Sequence, residues 1–88
     1  MTTETRETRI KRLRIRAWRR GIKEMDLVLG GFADAQLESL DDETLDLFEA
    51  LMGENDHDLL GWVTGQADPP PRYAPLMPAL RAHVASER

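Results

Sequence analysis

The 88-residue chain predicts an all-α fold, a single compact five-helix bundle. Apolar residues recur at spacings of three and four in successive stretches, helix start and stop residues fall between those stretches, and alternating β patterns are absent. The first helix is expected over about Arg6 to Arg19, where Ile10, Leu13, Ala17 and Trp18 form an apolar stripe and Arg or Lys fills the remainder. Gly21 interrupts or bends it. Ile22, Met25, Val28, Leu29 and Phe32 mark a second helix, whose end Gly30 and Gly31 weaken. Leu40-Asp41-Asp42-Glu43-Thr44-Leu45 is the clearest start signal, with Asp41 as cap and Asp42 and Glu43 complementing the helix dipole. The helix it opens runs to about residue 52, carries Leu45, Phe48, Leu51 and Met52, and ends at Gly53. Asn55 or Asp56 then caps a short helix bearing Leu59, Leu60, Trp62 and Val63, with Gly65 as a left-handed stop. Asp68-Pro69-Pro70-Pro71 cannot continue a helix, because proline lacks the amide hydrogen and restricts the residue before it. Leu76, Met77, Leu80 and Val84 mark the last helix, which tolerates Pro78 only in its first turn. Residues 1–88 read as one domain, with residues 1–5 frayed and 66–74 a proline-rich connector inside it.

Composition excludes several classes. Without cysteine there is no disulfide framework, zinc ribbon or thiol nucleophile. No apolar run approaches the roughly 20 residues of a membrane-spanning helix. The net charge of −4 conceals unlike parts: residues 1–23 hold nine Arg and Lys against Glu4 and Glu7, whereas residues 24–68 hold thirteen Asp and Glu and no Arg or Lys. The Arg-rich beginning shares features with a mitochondrial transit peptide, but Glu4 and Glu7 count against that. Removing it would leave a core of marginal size, so it reads as part of the domain. A cytoplasmic monomer that does not engage membranes is the expectation.

Catalytic and metal sites find little support. Asp56-His57-Asp58 is the one place where histidine meets carboxylates, and neighbours on a helix diverge by about 100°, so the segment reads as a capped helix start. His83 has no acidic neighbours, and no nucleophile-plus-base arrangement or phosphate-binding glycine fingerprint emerges. No catalytic, metal or cofactor-binding residue is assigned, and the chain is expected not to be an enzyme. A nucleic-acid role for the basic beginning is opposed by the acidic remainder.

A partner-binding patch remains, at Arg19-Arg20-Gly21-Ile22-Lys23-Glu24-Met25-Asp26. On a continuous helix Arg20 and Glu24 share a face, and Gly21 beside them presents bare backbone. A partner protein can approach that window closely and pair with both charges. An exposed ion pair beside a turn is the plainer alternative.

At these residues the sequence resembles the flavinylation assembly factors of succinate dehydrogenase, small proteins of bacteria and mitochondria. Their hallmark is Arg-Gly-x-x-Glu followed by a hydrophobic residue and Asp, reproduced as Arg20-Gly21-Ile22-Lys23-Glu24-Met25-Asp26. The resemblance extends over about residues 8 to 84 and includes Asp58-Leu59-Leu60-Gly61-Trp62, similar to a recurrent Asp-Leu-x-x-Trp stretch. It implies a five-helix protein, not itself an enzyme, that binds the flavoprotein subunit of succinate dehydrogenase and promotes covalent FAD attachment to a histidine of that subunit. Fumarate reductase is a further implied client, and FAD would belong to the client. Arg20, Gly21 and Glu24, with Asp26 beside them, would form the centre of the contact surface. A protein-interaction module with another client and a small nucleic-acid binder are the alternative readings.

Overall fold

A computed structural model describes residues 4–86. Five α-helices follow in the predicted order: α1 (Arg6–Trp18), α2 (Lys23–Gln36), α3 (Asp42–Leu51), α4 (Asp56–Thr64) and α5 (Met77–Ser86). Short 3-10 turns occupy Leu37–Ser39 and Pro71–Tyr73, and there is no strand among the described residues, so the all-α class is as expected. Between Ser39 and Leu40 the chain divides into two compact units.

In the first unit α1 packs on α2. Contacts pair Trp18 with Gly30, Arg14 with Asp34 and Arg6 with Glu38, so numbering falls along one helix as it rises along the other and the two run antiparallel. Ile10, Leu13 and Ala17 of α1 are buried, as are Met25, Leu29, Phe32 and Ala33 of α2 and Leu37 beyond it. Each set recurs at three and four residues, the stripe that drives a helix onto a neighbour. Of the residues expected to fray, Met1, Thr2 and Thr3 lie outside the described ones. Thr5 Oγ1 accepts the Thr8 N–H at 3.1 Å and so caps α1, and Arg12 donates to both oxygens of Glu4 at 2.9 Å. That guanidinium holds the Glu4 carboxyl below the usual carboxylate range.

Gly30 and Gly31 do not end α2, which continues to Gln36 and passes into the 3-10 turn. A mid-helix glycine costs about 1 kcal/mol relative to alanine. Here Gly30 is where the Trp18 indole lies: a Cβ would stand 2.7 Å from Trp18 Cγ, and the ring occupies the space a side chain would fill. Burial of Phe32, Ala33 and Leu37 beyond the glycines carries the helix on.

The second unit holds α3, α4 and α5. Asp41 Oδ1 accepts the Thr44 N–H at 2.8 Å to cap α3, which buries Leu45, Phe48 and Leu51. Asn55, not Asp56, caps α4, its Oδ1 accepting the His57 N–H at 2.8 Å. Gly65, at φ +82, ends α4 in the left-handed conformation expected of it. α5 packs on α4 and begins at Met77, so Pro78 falls in its first turn, where a missing amide hydrogen breaks no helical bond. Arg81 Nε donates to the Trp62 carbonyl at 2.9 Å.

Candidate functional site

The turn between α1 and α2 is built by three local features. The Arg19 N–H closes α1 onto the Arg16 carbonyl at 3.2 Å, Gly21 stands at φ +94, and Ile22 returns to extended geometry before α2 begins. Gly21, two residues past the Arg19 C-cap of α1, turns the chain through a backbone region that glycine adopts without strain. Ile22 cannot cap α2 with a side chain, and no side-chain bond is made from that position. Asp26 acts instead from inside the helix: its Oδ1 accepts the Arg20 N–H at 2.7 Å, clamping the turn to the first turns of α2. Glu24 and Asp26 there also complement the positive end of the helix dipole.

The predicted site residues therefore gather in one turn, in an arrangement different from the one their spacing suggests. Arg20 and Glu24 do not share a helical face, because Arg20 precedes the Ile22 cap and Gly21 reverses the backbone between them. Glu24 is exposed on α2, Arg20 is partly buried in the bend, and Asp26 is partly buried behind it. Gly21 is exposed, and nothing lies within 4 Å of where its Cβ would be. The bare backbone window is thus present, held open by the fold and bordered by the motif charges.

Spacing reasoning placed Trp18 within an apolar stripe, yet it is 38% exposed, lies over Gly30, and donates from Nε1 to Asp34 Oδ2 at 3.1 Å. No periodicity reveals that arrangement, since it depends on which α2 residue faces the ring. Tyr73 was missed as well. Its ring is fully buried, and its hydroxyl donates to Glu54 Oε2 at 2.6 Å, while Arg72 donates to the same oxygen at 2.9 Å and to the Tyr73 hydroxyl at 2.7 Å. Burial, then the Glu54 carboxylate, pushes the Tyr73 phenol up to about 12. The Tyr73 hydroxyl and then Arg72 hold Glu54 below its usual range, and Glu54 in turn raises Arg72. The residues expected to form only a stiff connector therefore carry a buried anchor.

Along α1 charged groups pair with α2 and the turn beyond it. A surface cleft of about 420 Å³ beside α1 has Arg6, Arg14 and Glu38 in its wall, but Arg14 faces Asp34 at 3.2 Å and Glu38 at 3.5 Å, and Arg6 donates to the Glu38 carbonyl. Among the described residues no three His, Asp or Glu side chains converge as metal ligands.

Comparison with known proteins agrees with the motif. Residues 11–84 match the family model described as flavinator of succinate dehydrogenase. Similar relatives named succinate dehydrogenase assembly factor 2, mitochondrial, include one from Meyerozyma guilliermondii, 44% identical over 70 residues that cover 80% of this chain and 52% of the relative. Another, from Cryptococcus neoformans, is 35% identical over 88 residues, covering 98% of this chain and 50% of the relative. A third, from Drosophila grimshawi, is 34% identical over 79 residues, covering 86% and 54%. The chain spans about half the length of these relatives.

Proposed function

The chain belongs to the family of flavinators of succinate dehydrogenase, and on that premise we propose that it is an assembly factor that binds the succinate dehydrogenase flavoprotein subunit and promotes its covalent flavinylation. The observation that carries this reading is the turn at Gly21, whose exposed backbone has open space above it and the motif charges of Arg20 and Glu24 beside it. A partner can bring its own backbone against such a window at a separation that a side chain would prevent. Arg20 offers a planar fork for a carboxylate or paired carbonyls, and Glu24 accepts from a cation on the partner.

In this reading the chain is a binding protein and not an enzyme. Attachment of FAD to the histidine is the flavoprotein's own chemistry and requires the two reacting groups in near-attack geometry. A factor that binds the competent conformation more tightly than the others raises its population, up to the limit of its differential affinity. The chain holds no cofactor of its own, the flavin stays with the client, and the flavoprotein of fumarate reductase is a second client. A cytoplasmic location belongs to the same proposal; the relatives are named as mitochondrial, and no helix among the described residues is long and apolar enough to cross a membrane.

Substitution at Gly21 tests the reading. Gly21→Arg fills the window, so its affinity for the flavoprotein is expected to drop about tenfold or more, with covalent flavin on the client falling alongside, while circular dichroism shows the helices intact. Normal yield of covalent flavin with Gly21→Arg as the sole source of the factor would refute it.

A further inference from the structure

The four motif residues are too small a footprint to hold a folded partner, since a stable interface takes roughly 20–30 residues a side. The contact must spread over adjoining surface. Among the described residues the large apolar side chains left exposed are Ile15, Trp18, Leu27 and Leu60. Two of them border the motif: Trp18 is two residues before Arg20, and Leu27 is three after Glu24, one helical turn along the same side of α2.

Trp18 and Leu27 also adjoin each other. The Trp18 indole lies on Gly30, and Gly30 is one turn beyond Leu27, a spacing at which helix positions are surface neighbours, so the exposed Leu27 position is next to the one the ring covers. Trp18 is fixed there before any partner arrives, by the absence of a side chain at Gly30 beneath it and by the Nε1 bond to Asp34. A preplaced aromatic loses little conformational freedom on binding, and tryptophan is among the residue types enriched at energetic anchors. Arg19 and Lys23, exposed and close to the pair in sequence, add positive charge to this region, and the exposed carboxylates of Glu24 and of Asp34, which holds the indole, add negative charge.

We propose that Trp18 and Leu27 form the apolar anchor of the client interface, continuous with the Gly21 turn, and that they seat in an apolar recess of the flavoprotein subunit whose rim carries charges of both signs. Gly30 and Asp34 are positioning residues that hold the indole in place. This rests on the reading of the chain as a flavoprotein-binding factor. Ile15 supplies an internal control: it is 55% exposed, against 52% for Leu27, but sits about 60° further round α1 than Trp18, away from α2.

The test is a calorimetric titration of the chain into flavoprotein subunit prepared without covalent flavin. Leu27→Gln and Trp18→Ala are expected to bind about tenfold or more weakly, and Ile15→Gln within about twofold of the unsubstituted protein. Leu27→Gln changes an exposed helical position, so its melting temperature is expected to stay unchanged, and it decides the matter should Trp18→Ala unfold the hairpin. Tight binding by the unsubstituted chain with Leu27→Gln equally tight overturns the anchor while leaving the function standing. Equal losses from Ile15→Gln and Leu27→Gln overturn it too. Absence of binding by the unsubstituted chain overturns the functional reading and the anchor with it.

Discussion

Gly21 and Gly30 are glycines for different physical reasons, and substitution separates them. At Gly21 there is room for a side chain but the backbone is at φ +94, so Gly21→Ala costs strain of about 1–3 kcal/mol and Gly21→Asn less, because asparagine tolerates that region. At Gly30 the backbone is helical, and the obstacle is the Trp18 ring. Alanine there gains about 1 kcal/mol of helix propensity, yet its methyl group overlaps the ring close to Cγ, where the side chain cannot swing aside without losing the bond to Asp34. Overpacking of that kind costs about 1–3 kcal/mol, and the lost bond about 1 kcal/mol more. Urea denaturation is therefore expected to show both alanine variants destabilised, with the indole fluorescence of the folded state shifted only in Gly30→Ala.

At the scale of elements, the link from α4 to α5 is anchored by the Tyr73, Glu54 and Arg72 cluster, and its chemistry is open to titration. The folded state favours the neutral phenol, with Tyr73 raised to about 12 from an ordinary 10, so this contribution to stability is complete below pH 10 and is lost as pH rises through about 12. Glu54 has the opposite sign. Its carboxyl is held low in the folded state, so its contribution is present above the ordinary carboxylate value and is lost as pH falls through the folded one. The chain has a single tyrosine, so phenolate absorbance reports Tyr73 alone. An ionisation midpoint near pH 12 in the folded protein is expected, and Glu54→Gln is expected to lower it; a midpoint at the value of free tyrosine would show the cluster unformed in solution.

For the molecule as a whole, the separation of charge between residues 1–23 and 24–68 governs encounter more than fold. The change of sign falls between Lys23 and Glu24, inside the proposed contact turn, so the client is expected to present charge in the complementary pattern. Association with the flavoprotein should then slow as salt rises while dissociation changes little, the signature of steering by rim charges, and stopped-flow mixing at two ionic strengths measures it. An association rate indifferent to salt would remove charge steering from the account.

The helices, most of their ends and the position of the motif turn are legible in the local pattern of residues. These follow from interactions between residues a few places apart: the Asp41 and Asn55 caps, the left-handed Gly21 and Gly65, and the spacing of the buried leucines. Features that depend on partners distant in the chain emerge only once the helices pack. Gly30 sits inside α2 with Trp18, twelve residues before it, in the missing side chain's place, the helix continues because Phe32, Ala33 and Leu37 are buried beyond it, and Tyr73 is an anchor because Glu54 reaches it across nineteen residues. Arg20 and Glu24 were read as neighbours on one helix, whereas Gly21 at φ +94 leaves Arg20 in the turn before α2 and Glu24 in its first turn. Local propensity is written in short stretches of sequence, but which side chain meets which across a helix pair is set only when the pair closes.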